Sequence, residues 1–181
     1  VPSNASGEII IKGYSVSENN PDISVSNAGT ISQIDSKIIE DKTKPAQFWE
    51  SSSVSIKEVA EGIKNSLTEE EKTNEVYYLT VKTYQFVIDR IDYSQTKKYG
   101  LNERKGALAT FNGGAAVCME YSDLFIAIMR SLGVPARAAF GYGYSAIDLE
   151  SINETTINHH WAEVYFPSLN MWIPVDTTWG A

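Results

Sequence analysis

Several residue types that often define a protein's chemistry are scarce in this chain. One cysteine and two histidines occur among 181 residues. A single cysteine excludes an intrachain disulfide, so the fold does not depend on such bridges. It also argues against a cysteine-based zinc site, because tetrahedral sites usually draw several Cys or His ligands at short spacings. No apolar run approaches the roughly 20 residues that a membrane helix needs, and we predict no membrane span.

Positively charged residues are in the minority. The 15 Lys and Arg residues stand against 23 Asp and Glu, which gives a formal net charge of −8. An acidic chain repels phosphates, and no basic stripe offsets this, so a nucleic-acid partner is not expected. No Asp-rich loop of the EF-hand type occurs, and neither a metal site nor a cofactor is predicted. The shares of hydrophobic (43%) and charged (21%) residues are typical of a soluble globular protein.

The composition divides the chain in two. Residues 1–54 are rich in Ser, Asn, Thr and Ile, and we interpret them as an N-terminal extension or the tail of a preceding domain. They include a predicted short strand within residues 7–16 and a turn at residues 19–22. Residues 55–181 are predicted to form one domain. The start at Val1 indicates a processed or excised chain, and we expect a bacterial protein that is secreted or lies at the cell surface.

The first half of the domain has a helical pattern. Apolar residues recur at three- and four-residue steps from Ile56 to Leu67, which is the stripe of an amphipathic helix. Thr68 can cap a helix, and the three Glu residues after it suit the positive end of the helix dipole. A second, longer helix is therefore predicted from Thr68 to about Tyr93.

The second half changes from a helical to a strand pattern. A helix is predicted from Cys118, and Gly133 and Pro135 supply the usual stop signals. Three strands are predicted after it, and the last two are joined by a hairpin turn: residues 136–144, 161–166 and 171–175. Helices followed by antiparallel strands indicate an α+β domain.

Cys118, His159 and Asp176 have the residue types and predicted positions of a catalytic triad. Cys118 opens a helix, where unpaired amides favour the thiolate, the nucleophilic form. His159 stands at the start of one predicted strand and Asp176 at the end of the next, so the hairpin would place them side by side. A histidine can take the thiol proton and return it to a leaving group, while a carboxylate fixes its tautomer. The alternative is a buried core thiol, which would leave the His and Asp pair without a purpose.

The sequence around these residues resembles the transglutaminase-like superfamily. The motifs that carry the resemblance are VCMEYSDLF (117–125) with LGVPAR (132–137), HHWAEVY (159–165) and WIPVDTT (172–178). The resemblance implies a papain-like core, in which N-terminal helices pack on an antiparallel sheet and the nucleophilic cysteine stands at a helix N-terminus. It covers the chain from about residue 54 to the C-terminus.

The resemblance also distinguishes between the two histidines. The family's pattern is a His, one variable residue and then Trp, which makes His159 the base. His160 falls at the variable position, where we expect a solvated or loosely hydrogen-bonded side chain. One departure is Ala116, which stands where the family commonly has Gly. If that position requires the backbone freedom of glycine, the thiol would be misplaced.

Further site residues are implied by analogy with papain-like enzymes. The backbone amide of Cys118 would be one oxyanion donor, and a side chain on the preceding helix, Gln85 or Tyr84, would be the other. For both side chains an ordinary role within the helix is the alternative. The aromatic residues predicted to line the cleft are Tyr142, Trp161 and Trp179, and a core role is an equal alternative for Trp161.

The function implied by the resemblance is acyl chemistry on an amide bond. Cys118 would attack a peptide or protein amide, form a thioester and pass the acyl group to water or to an amine. The superfamily includes transglutaminases, proteases and peptide N-glycanases, so it supplies the reaction type and leaves the acceptor open, with hydrolysis preferred. The alternative is a non-catalytic module that serves binding or scaffolding in a larger surface protein. The sequence does not indicate an oligomeric state.

Overall fold

The computed structural model describes residues 28–94, 103–143 and 157–179. The strand predicted within residues 7–16 and the turn at residues 19–22 lie outside these ranges. Two short 3-10 turns, Ile31–Gln33 and Glu71–Asn74, accompany the longer elements. The helices are α1 (Ser36–Lys42), α2 (Val54–Asn65), α3 (Glu75–Arg90), α4 (Ala107–Phe111) and α5 (Cys118–Ser131), and the strands are β1 (Ala136–Gly143), β2 (Ile157–Phe166) and β3 (Met171–Val175).

The predicted helices are present, with one different start. Ser53 caps α2, since its side chain accepts a hydrogen bond from the Ile56 amide at 3.4 Å. Thr68 and Glu71 form the reciprocal bonds of a capping box, with distances of 3.2 and 2.8 Å. This box closes the 3-10 turn at 71–74, and α3 begins only at Glu75. The start predicted at Thr68 is therefore too early.

The three strands form one antiparallel sheet in the order β1-β2-β3. The register pairs Gly141 with His159 and Ala162 with Val175. Strand β2 begins at residue 157, four residues before the predicted position, so His159 lies inside the strand. Helices together with an antiparallel sheet confirm the predicted α+β class.

Helix α5 lies at the centre of the core. Its residues 120–130 are all buried, and a helix that is buried on every side is typical of a protein interior. Gly133 ends it with a positive φ of 82°, and the Val134 amide donates to the Met129 carbonyl at 2.9 Å. The helix therefore begins and ends where the sequence predicts, and its first residue is the single cysteine.

Part of the predicted N-terminal extension shares this core. Ala28 and Ile34 belong to the buried apolar cluster. The indole of Trp49 donates a hydrogen bond to Asp123 of α5 at 2.7 Å. Arg130, near the other end of α5, donates to the Lys44 carbonyl at 2.7 Å. The segment from residue 28 to α2 is therefore packed against the domain that was predicted to begin at residue 55.

Among the described residues, every helix is too short or too polar to cross a bilayer.

Candidate active site

Cys118 is the first residue of α5, and its side chain is half-buried. The carboxylate of Glu120 is completely buried and holds the backbone just before this helix in place. Glu120 accepts hydrogen bonds from the Val117 amide at 3.1 Å and from the Lys105 amide at 3.3 Å. One buried acid thus satisfies two backbone donors beside the nucleophile's helix.

Ala116 fits its position without the backbone freedom of glycine. Its φ is not positive, since Phe48 and Asn170 are the non-glycine residues with positive φ in the described ranges. Ala116 is fully buried and forms a parallel bridge with Tyr93. Its carbonyl accepts from the Ser94 amide at 2.8 Å. The departure from the family pattern therefore does not strain the entry to α5.

The structure brings Cys118, His159 and Asp176 together. The Nε2 atom of His159 lies 2.5 Å from Oδ2 of Asp176, and the thiol of Cys118 is near enough to the ring to help raise its pKa. Since Asp176 engages Nε2, Nδ1 is the nitrogen left for the thiol. The second carboxylate oxygen accepts from the amides of Thr178 at 2.8 Å and Trp179 at 3.1 Å.

These contacts determine the charge of His159. Burial lowers the pKa of His159, but the hydrogen bonds and charges of Asp176 and Cys118 more than offset it and raise the pKa to about 9. For Asp176, burial raises the pKa, and the bonds from His159 and the two backbone amides outweigh that effect and lower it. The pair is therefore an imidazolium next to a carboxylate at neutral pH.

Two tryptophans stack beside the base. The Trp179 ring lies 4.0 Å from the His159 ring at an interplanar angle of 9° and is 46% exposed. The Trp161 ring lies 5.9 Å from it on a roughly parallel plane and passes over Gly141. The side chain of Tyr142 lies outside the described part of the chain. The cleft-lining roles of these three residues remain predictions.

The structure does not support the second oxyanion donor. Gln85 is exposed on α3, and its amide donates to Asp89 at 2.8 Å, so this donor already has a partner on the helix surface. Tyr84 is partly buried and packs against the apolar core. Among the described residues, no hydrogen bond joins either side chain to Cys118, and the oxyanion role of both remains a prediction.

The prediction of a solvated His160 is wrong. Its side chain is 1% exposed, and within residues 28–94, 103–143 and 157–179 neither ring nitrogen has a hydrogen-bond partner by geometry. The Phe140 ring lies edge-on at 4.2 Å. Burial, then the charges of Arg104 and His159, lower the pKa of His160 to about 4, although the Cys118 backbone opposes this shift. His160 is therefore a neutral core residue at neutral pH.

The sequence did not reveal two buried polar contacts beside the site. Asp123 is completely buried, and Arg104 donates to it through Nε at 2.7 Å and through Nη2. Burial raises the pKa of Asp123, while Arg104 acts in the opposite direction. The hydroxyl of Ser122 lies within hydrogen-bond distance of the Cys118 carbonyl on α5 and of the His160 carbonyl on β2. Its position four residues after Cys118, on the same helix face, was the available signal.

No group of three or more His, Cys, Asp or Glu side chains within residues 28–94, 103–143 and 157–179 is arranged to hold a metal ion.

The sequence matches the model of the transglutaminase-like superfamily over residues 58–177, and the chain belongs to that superfamily. No curated protein sequence matches the chain.

Solved structures share the fold. A putative cysteine protease from Cytophaga hutchinsonii is 22% identical, with a TM-score of 0.63 over 85% of this chain and 47% of that one. The periplasmic domain of TgpA from Pseudomonas aeruginosa is 17% identical, with a TM-score of 0.55 over 80% and 48%. The same domain bound to ethylmercury has a TM-score of 0.53. The chain thus spans about half the length of these solved chains.

Proposed function

We propose that the protein cleaves an amide bond of a peptide or protein, with Cys118 as nucleophile, His159 as general base and acid, and Asp176 as the carboxylate that orients His159. The observation that carries this proposal is the position of His159, whose ring is hydrogen-bonded to the Asp176 carboxylate and interacts electrostatically with the Cys118 thiol. A cysteine nucleophile needs a base within hydrogen-bond reach, and that base needs a third group to fix its tautomer.

The reaction has two halves. The proton of Cys118 resides on His159 before the reaction, so the thiolate attacks the amide carbon, and the backbone amide of Cys118 is a donor for the oxyanion that forms. The C–N bond breaks as the His159 imidazolium gives its proton to the leaving amine, which leaves a thioester on Cys118 and a neutral His159. A water molecule then gives its proton to His159 and attacks the thioester, and the sulfur departs as the thiolate beside the restored imidazolium. The products are an amine and a carboxylic acid.

Water is proposed as the acceptor in preference to an amine. The likeness to a structure described as a putative cysteine protease supports hydrolysis. The likeness to a periplasmic domain supports a location outside the cytoplasm. A purely binding role is favoured by no contact in the described residues.

Alkylation of Cys118 tests the nucleophile and its base. At pH 6, iodoacetamide should modify the protein faster than it modifies a free thiol such as glutathione, because the imidazolium stabilises the thiolate. His159→Ala should remove this excess. Gln85→Ala is the matched control on an exposed residue and should react like the unmodified protein. Equal rates for the unmodified protein and His159→Ala would contradict the proposed triad.

A second assay separates the acceptors. The protein is incubated with a peptide library, and in parallel with a glutamine peptide and a labelled primary amine. Cleavage that is absent in Cys118→Ala is expected. Incorporation of the amine without cleavage would contradict hydrolysis and show that the acyl group passes to an amine.

A further inference from the structure

The side chain of Ser122 connects the two elements that carry the nucleophile and the base. Its Oγ lies 2.9 Å from the carbonyl oxygen of Cys118 and 3.1 Å from the carbonyl oxygen of His160. The side chain is 1% exposed, so water does not compete for either acceptor. The hydroxyl has one proton, so it either forms a bifurcated hydrogen bond to both carbonyls or alternates between them.

Only one of these two bonds is ordinary for a helix. A serine commonly donates to the carbonyl four residues earlier, which here is Cys118. The bond to His160 joins residues 38 apart in the sequence and crosses from α5 to β2. Because the hydroxyl is buried and both acceptors are backbone atoms, the contact fixes the positions of main chains rather than of mobile side chains.

This contact lies beside His159 and His160, which pair with a neighbouring strand on only one side. The last pair between β2 and β3 is Ala162 with Val175, so His159 and His160 lie beyond that ladder. On the other side β1 pairs with both residues. The Ser122 hydroxyl is therefore a hydrogen-bonded tie between α5 and the part of β2 that carries the base.

We propose that Ser122 is a positioning residue, which sets the separation between the Cys118 thiol and the His159 ring by tying the carbonyl of Cys118 to that of His160. The inference rests on the proposed triad. A displacement of about 1 Å between reacting groups can reduce a rate about a hundredfold, and loss of one tie of this kind should reduce it about tenfold. The residue itself touches no reacting atom.

The test compares Ser122→Thr with Ser122→Val, which have nearly the same shape and differ by the hydroxyl. The rate of iodoacetamide alkylation is measured from pH 5 to 9, and folding is followed by thermal unfolding. In Ser122→Val and Ser122→Ala, the His159-dependent excess in the alkylation rate at pH 6 should be about tenfold smaller. The pH profile of the rate should also shift toward that of a free thiol. Ser122→Thr should retain most of the excess. Ser131→Ala, at the far end of α5, is the control.

The outcomes separate this inference from the proposed triad. Folded Ser122→Val and Ser122→Ala that alkylate within twofold of the unmodified protein and Ser122→Thr would overturn the positioning role and leave the triad intact. A lower melting temperature with unchanged rates would also overturn it, because Ser122 would then be merely structural. If the unmodified protein shows no His159-dependent excess, the triad and the positioning role both fail.

Discussion

At the residue scale, His159 and His160 are neighbours with opposite electrostatics. His159 faces a carboxylate and a thiol, which raise its pKa to about 9, whereas burial and nearby positive charge lower the pKa of His160 to about 4. The alternation of side chains along a strand separates the two environments. Each histidine therefore links stability to a different range of pH.

The raised pKa of His159 predicts that replacing Asp176 lowers stability at low pH and has a smaller effect at high pH. The folded protein holds a proton on His159 up to about pH 9, whereas the unfolded chain releases it near pH 6.5. The stabilisation is complete below pH 6.5 and is lost as the pH rises to 9. At pH 6, Asp176→Asn should lower the free energy of unfolding by up to ~3 kcal/mol, and the difference should shrink by pH 9.5. Urea unfolding across this range measures it; a difference that does not change with pH would contradict the pairing.

The His160 link has the opposite sign. Below pH 6.5 the unfolded chain takes up a proton that the folded protein does not accept until about pH 4, so stability falls as the pH decreases through this window. His160→Phe removes the titrating group and keeps an aromatic ring in the buried site, where neither ring nitrogen has a geometric hydrogen bond with a described residue. Melting temperatures from pH 7 to 4 should fall less for this variant than for the unmodified protein. Parallel curves would show that His160 does not titrate in this range.

At the element scale, strands β1 and β2 approach each other closely beside the base. A Cβ atom on Gly141 would lie 2.7 Å from the Trp161 ring, which cannot be accommodated without movement. The displaced ring would move relative to the His159 ring, which lies 5.9 Å away. This predicts a specific effect of a small substitution.

Gly141→Ala should slow alkylation of Cys118 at pH 6 about tenfold and destabilise the protein by ~1–3 kcal/mol, because overpacking shifts the ring. The control is Gly62→Ala on α2, where a new Cβ meets nothing within 4 Å. That variant should keep the rate and be as stable or slightly more stable, since alanine favours a helix. An unchanged alkylation rate in Gly141→Ala would show that the Trp161 ring does not affect the base.

The elements with local signals could be predicted from the sequence. The start of α5 at Cys118 follows a glycine pair, and its end is marked by Gly133 and Pro135. Thr68 was predicted to cap a helix and does form a capping box with Glu71, but nothing local distinguishes a box that precedes a 3-10 turn from one that opens a long helix. The first two residues of β2 were assigned to a polar loop, because their place in the sheet depends on pairing with β1, which is distant in the sequence.

The same limit applies to the site. Cys118, His159 and Asp176 could be selected because their residue types fit one reaction. The contacts of Ser122 and Arg104 could not, because they join residues 38 and 19 positions apart and exist only after the helices dock. The burial of His160 depends on the same packing.

At the scale of the whole molecule, the segment before α2 contributes to the fold. The Trp49 indole bonds to the buried Asp123, and the Arg130 guanidinium lies 4.4 Å from the Trp49 ring. Glu50 accepts from the Leu108 amide at 3.2 Å, which connects the segment to α4. These contacts are made with the region that was predicted to fold as a separate domain.

A chain of residues 55–181 should therefore be much less stable than the full chain. Trp49→Ala should lower the free energy of unfolding by about 3 kcal/mol, because it removes a packed aromatic ring and one partner of a buried carboxylate. Val54→Ala is the control, since Val54 is 72% exposed, and it should change stability by less than about 0.5 kcal/mol. Urea unfolding of the three proteins measures these effects. Full stability of residues 55–181 would instead support the predicted boundary at residue 55.

The order of the elements along the chain has a consequence for when the thiol becomes reactive. His159 and Asp176 are 17 residues apart in one hairpin, so they can meet as soon as that hairpin closes. Cys118 joins them only after α5 has docked on the sheet. During synthesis the cysteine leaves the ribosome before its base exists, and a nascent chain therefore carries an ordinary thiol. On the proposed triad, Cys118 therefore becomes reactive only once α5 and this hairpin have packed together.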